Sequence, residues 1–203
     1  MKRARRCGMA VAVVAIVFFG RGSSTPLAQG AAARDLEVLQ VRPNFYMIAG
    51  AGANIGVQIG DDGVVVVDAG SGARNEAVLA AIKRVTSKPI RYVIDTSADA
   101  DHVGGNEALS RAGVTLFTGR TIGLPTEFAG TAASILATEN VLTRMSAATG
   151  SAAYAQGALP TETFFYPRKY MYLNDEGIEV LHQPAAHSDG DALVFFRRSD
   201  VIV

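Results

Sequence analysis

The sequence predicts a layered α/β sandwich, and three observations carry that expectation. Apolar runs of strand length open and close the chain, runs with helical spacing lie between them, and Gly- and Asp-rich turns separate the two kinds. At 203 residues the chain is long enough for one domain with a sizeable core. Its 19 Lys and Arg balance 19 Asp and Glu, so no basic face for nucleic acid is expected.

Residues 1–33 read as a leader. Lys2, Arg3, Arg5 and Arg6 precede an apolar run, Met9 to Phe19, and small or turn-prone residues follow from Gly20 to Ala33. That order is a secretory signal peptide, with Ala28 or Ala33 as the cleavage point. A membrane anchor would need more apolar residues to cross ~30 Å of hydrocarbon. A periplasmic or secreted protein is expected, free of the membrane after cleavage. Cys7 is the sole cysteine and precedes the apolar run. The mature chain would therefore have no disulfide and no thiolate for a metal, leaving His, Asp, Glu or water as ligands.

From Leu36 the elements follow in order. Leu36 to Val41 and Phe45 to Ile48 are expected as strands, broken by Pro43 and Asn44. Ile55 to Ile59 alternates like a half-buried strand, and Asp61-Asp62-Gly63 turns it into the four valines Val64 to Val67. Four consecutive valines suit a strand buried on both faces. Glu76 to Val85 has helical apolar spacing (Val78, Leu79, Ile82, Val85), and Tyr92 to Ile94 is the next strand. Asn106 to Ala112 is expected as a short helix, Val114 to Phe117 as a strand and Thr131 to Met145 as a longer amphipathic helix. Ala147 to Pro160 should be a surface loop. Short strands are expected at Lys169 to Leu173, Ile178 to Leu181, Ala192 to Phe196 and Val201 to Val203. Because the last strand stops mid-element, the domain spanning 36–203 is expected to be incomplete at its C-terminus.

The segment from Asp95 to Asn106 (DTSADADHVGGN) follows a strand and opens a helix, where α/β proteins place ligands. Asp99, Asp101 and His102 crowd one short loop, and carboxylate plus imidazole suits zinc, iron or manganese. Gly104 and Gly105 would let the backbone turn tightly. Spacing alone leaves two readings open: a metal loop, or a helix capped by Asp101. The chain has 3 histidines, and 2 of them, His182 and His187, lie in a second loop between apolar strands. His182 directly follows Leu181 at a strand end and reads as a supporting residue.

Thr96 to Asn106 resembles the metallo-β-lactamase superfamily motif Thr-His-x-His-x-Asp-His-x-Gly-Gly-Asn. Asn54 to Gly72 is similar to that family's N-terminal hairpin ending in Asp-x-Gly, and Ala186 to Asp191 (AHSDGD) to its Ala-His-Thr-x-Gly-Asp loop. Ala137 to Ser146 resembles a helix of a subset of these hydrolases, with Thr138 where a histidine often stands. The resemblance implies a four-layer αβ/βα sandwich and a metal-bound hydroxide that attacks a small ester, lactam, thioester or related substrate. It implies one or two Zn²⁺, with Fe or Mn as alternatives. Asp99 and His187 would serve the first position, Asp101 and His102 the second, with Asp101 also orienting the nucleophilic water as the catalytic residue. The departures are Ser97 and Asp99, which stand where the family has its first two histidines. They weaken the first site and admit an alternative: a non-catalytic binding protein on the same fold. A redox di-iron protein is suggested only by Asp99, and such proteins usually partner a flavin domain, which is not visible in this sequence.

Overall fold

In a computed structural model of the chain, residues 36–116 and 131–203 are described. The N-terminal leader and Phe117 lie outside them. Seven strands form one sheet in sequence order: β1 (Glu37–Arg42), β2 (Phe45–Ala51), β3 (Ala53–Gly60), β4 (Gly63–Val67), β5 (Ile90–Ile94), β6 (Ser134–Thr138) and β7 (Glu162–Phe164). The first four are antiparallel neighbours, and β4 through β7 run parallel. The second sheet, β8 (Arg168–Leu173), β9 (Glu176–His182), β10 (Ala192–Phe196) and β11 (Val201–Ile202), is an antiparallel meander.

The four valines of β4 show why the sheets stack. Val64 and Val66 join a core with Val78 and Ile82 of α1 (Asn75–Val85) and Leu109 of α3 (Asn106–Ala112). Val65 and Val67 point the other way, into a core with Ile178, Val180, Val194 and Phe196 of the second sheet. Phe45 meets Phe196 edge-on there, with ring centroids 4.8 Å apart. The period of two thus makes β4 the middle of three layers: helices, large sheet, small sheet. Tyr170, Tyr172 and Ile202 on the outer face of the small sheet are exposed. The outer helix layer of the expected four-layer sandwich is not among the described residues.

Two expected elements are corrected. Thr131 to Met145 is not one helix. Ser134–Thr138 is strand β6, and the helix α4 covers only Glu139–Ala147. Ile135 and Leu136 are adjacent and both fully buried, but in opposite cores. That alternation between β5 and β7 overrides the helical spacing. Thr138 then caps α4, its Oγ1 accepting from Val141 N at 3.3 Å. Val114 to Leu116 is not a strand either. Val114 N donates to Ile90 O at 2.8 Å, but both edges of β5 are already occupied by β4 and β6.

Candidate metal centre

The site assembles at the C-terminal ends of the parallel strands. After Val67, Asp68 takes a left-handed conformation (φ 62°) and its side chain turns inward, 3% exposed. Its carboxylate accepts from Thr96 N at 2.8 Å, from Thr96 Oγ1 at 2.7 Å and from His102 Nδ1 at 2.9 Å. Because an ionised carboxylate only accepts, the bond to Nδ1 puts a proton on that nitrogen and leaves Nε2 as the outward donor or ligand. The Asp68 hydrogen bond is the largest cause raising the His102 pKa above 6.5, opposed by burial and aided by the charges of Asp68, Asp101 and Asp99.

His102 sits on a short helix, α2 (Ala100–Val103), whose N-cap is Asp99. The capping alternative for Asp101 does not hold: Asp101 lies inside the helix and is exposed, and the Asp99 side chain makes no cap bond. Gly104 and Gly105 act differently from expectation. Both have negative φ, −62° and −91°, so neither needs glycine's conformational freedom. A Cβ on Gly105 would lie 2.3 Å from Ala69 O, and one on Gly104 would lie 2.5 Å from Ala100 O and Gly72 N. Glycine here permits α2 and α3 to press against the Asp68–Gly72 backbone.

The second loop is folded by its own side chains. Asp191 accepts from Ser188 N at 2.9 Å and Ser188 Oγ at 2.5 Å. Burial alone would raise the Asp191 pKa, but these bonds, a backbone bond from His187 and the His187 charge hold it below the usual carboxylate range. His182 donates from Nε2 to Asp189 O at 2.7 Å, the supporting role its strand-end position suggested. Thr138 Oγ1 donates to Gly190 O, and Arg144 pairs with Asp189 at 2.6 Å. Ala192 N donates to Thr96 O at 2.9 Å, joining the two loops directly.

The outcome is convergence of Asp99 and His187: Oδ2 and Nε2 lie 3.2 Å apart, both exposed. Two ligands of a tetrahedral ion with ~2.0 Å bonds are separated by roughly 3.3 Å, so the pair fits one shared cation. Ser97 is buried, and its Oγ accepts from Asp99 N at 3.3 Å, fixing the start of the loop. Among the described residues, no three His, Cys, Asp or Glu side chains gather at metal-holding distance. His102, held by Asp68, lies on the short helix that Asp99 precedes as N-cap.

Sequence reasoning missed Asp68 and Thr96 as site residues. The signal was available in Asp68-Ala69-Gly70, which matches the end of the family's Asp-x-Gly hairpin but was given no role at the site. Asp95 was also missed. It is fully buried, bonded through Oδ2 to Asn106 Nδ2 at 2.8 Å, with Oδ1 unpartnered. Burial pushes its pKa well above the usual range, the Asn106 bond opposing.

The fold is that of the metallo-β-lactamase structures to which the chain is similar. Residues 49–116 match the profile of the metallo-beta-lactamase superfamily, a span that holds Asp68 and the whole DTSADADH segment. No curated protein sequence matches the chain. Solved structures similar to it include a B3 metallo-β-lactamase described as the first with an active-site glutamic acid (TM-score 0.59, 17% identity, 78% of this chain and 56% of that one). BJP-1, a subclass B3 metallo-β-lactamase of Bradyrhizobium japonicum, has TM-score 0.62 at 16% identity over 84% of this chain and 60% of its own. The inverting sec-alkylsulfatase Pisa1 from Pseudomonas sp. has TM-score 0.60 at 16% identity, over 83% of this chain and 31% of its own. The chain thus spans less than two thirds of the length of each of these three proteins.

Proposed function

We propose that the chain is a metal-dependent hydrolase acting on a small ester, lactam, thioester or related substrate. One observation carries the reading: the buried Asp68 holds His102 by Nδ1 and frees Nε2. Metal-ligating histidines are held in this way, by a carboxylate that fixes tautomer and ring orientation. Asp99 and His187 would hold the cation, with His102 and Asp101 beside them and water completing the shell. A bound zinc supplies a hydroxide nucleophile near neutral pH. Asp99 brings a carboxylate to a position where the family has histidine, so iron and manganese compete with zinc there. The B3 lactamase with an active-site glutamic acid supports an acidic residue in such a site. Asp101, exposed next to His102, is assigned to orient the water. Export to the periplasm or medium belongs to the same reading, on the basic-then-apolar order of residues 1–33.

The test is elemental analysis of the purified protein. About one metal per chain, lost in His187→Ala and Asp99→Ala, is expected. A second reading rests on Ser97 and Asp99, which stand where the family has its first two histidines. On it, the chain is a non-catalytic binding protein with a decayed site. Absence of metal from the wild type, together with absent esterase activity, would favour that reading.

A further inference from the structure

Building on the hydrolase reading, we propose that Phe165 and Tyr166 form an aromatic wall of the substrate site, selecting an uncharged ester with an aryl acyl group. Phe164 pairs with Thr138 at the C-terminal ends of β7 and β6, so the chain leaves the sheet at the end that carries the Asp68 and Thr96 loops. Pro167 O then accepts from His182 N at 3.0 Å, and His182 itself bonds the loop that bears His187. Phe165 and Tyr166 are thus suspended between two anchors to that loop. Their rings stack, centroids 4.3 Å and planes 30° apart, yet remain 67% and 63% exposed. Solvent-facing stacked aromatics beside a site are the apolar surface that ligand pockets use. A stacked pair presents a preformed π-face, on which a third ring adds with little ordering cost.

Charge decides what the ring carries. The cations flanking this segment are each paired: Arg144 with Asp189, Lys169 with Glu162 at 2.7 Å, and Arg168 with Glu179 at 4.0 Å. Among the described residues, an anionic substituent would have to compete with Asp189, Glu162 or Glu179 for these cations, which favours a neutral acyl group.

The experiment uses the full chain with para-nitrophenyl acetate, para-nitrophenyl phenylacetate and para-nitrophenyl sulfate. These share a leaving group and differ in acyl ring or charge. Wild type should favour phenylacetate over acetate by about ten-fold in kcat/KM, the scale of one aromatic contact. The double variant Phe165→Ala, Tyr166→Ala should lose that preference, with a much smaller loss on acetate. Both substituted side chains are exposed, so the fold should survive. An unchanged ester preference, or faster turnover of the sulfate, overturns the wall and leaves the hydrolase reading standing. Failure of wild type to exceed His187→Ala on any probe sinks the hydrolase reading instead. Binding of neutral N-methylphenylacetamide, followed by NMR line broadening, then decides the wall by itself. Weaker binding in the double variant supports it, and equal binding overturns it.

Discussion

Replacing Asp68 with Asn keeps size and tolerance of a left-handed backbone but removes the charge. The wild-type carboxylate accepts from Thr96 N, Thr96 Oγ1 and His102 Nδ1. An amide offers one oxygen in place of two, so its NH₂ group must face one of these donors. Hydrogen bonds to a charged group contribute about 1.5–3 kcal/mol each, and a buried donor left unpaired costs a similar amount. With one bond lost and the others neutralised, a loss of roughly 3 kcal/mol is expected, or about 6–12 °C in Tm for a chain of this size. Metal affinity should fall about 10–100-fold, because His102 loses the partner that orients it. The assays are thermal melts in chelator and calorimetric metal titration. An NMR titration should show the His102 pKa returning towards 6.5, since its largest raising cause has gone. A variant that melts within about 2 °C of wild type and binds metal equally well would refute the brace.

Ser97→His restores a nitrogen donor beside Asp99 and should tighten zinc binding by about ten-fold or more, read by chelator competition. Unchanged affinity would remove position 97 from the ligand shell. The raised pKa of His102 sets a sign for the metal-free protein. The stability of the charged His102–Asp68 pair is fully present below pH 6.5 and is lost as pH rises through the folded pKa. Urea midpoints should therefore decline above pH 6.5 in wild type and stay flatter in Asp68→Asn. Asp95 is also raised, so its contribution is greatest below pH 3.8 and is lost as pH climbs through the folded value. Asp95→Asn should accordingly gain stability at neutral pH and none near pH 3. A variant less stable at both would show that the charge is accommodated.

Much of this was legible in the residues, for reasons that differ by element. Asp61-Asp62-Gly63 predicted the β3–β4 turn because Gly63 must adopt φ 137°, a conformation that glycine enters freely. The valine run predicted the central strand because only a two-faced strand accommodates it. The stretch around Ile135 was not legible: Ile135, Leu136, Val141 and Met145 satisfy helical spacing, and the information that separates strand from helix lies in β5 and β7, distant in sequence. At the site, the motif resemblance pointed to Asp99, Asp101, His102 and His187, and its order implied that the two loops meet, as they do at the Asp99–His187 pair. It could not reveal Asp68 as their brace, because that role depends on a carboxylate folding back 34 residues away from His102.

The backbone separates the two functional readings further. Among the described residues, four non-glycine positions have positive φ: Asp68, Asn174, Asp175 and Asp200. Asn174 and Asp175 make the β8–β9 turn, and Asp200 lies in the β10–β11 turn, where short polar residues enter this region routinely. Asp68 is in no hairpin. It ends β4, a fully buried strand antiparallel to β3 and parallel to β5, and the left-handed conformation costs a non-glycine residue about 1–2 kcal/mol. Burying its carboxylate adds a desolvation cost that hydrogen bonds must offset. The same bonds that offset it aim His102. An imidazole held in this way by a buried carboxylate is the arrangement that the proposed metal site calls for. If the metal reading is right, Asp68→Gly should relieve the backbone strain and still bind metal more weakly than wild type. Metal affinity in that variant equal to wild type's would mean that the strained carboxylate serves only the fold.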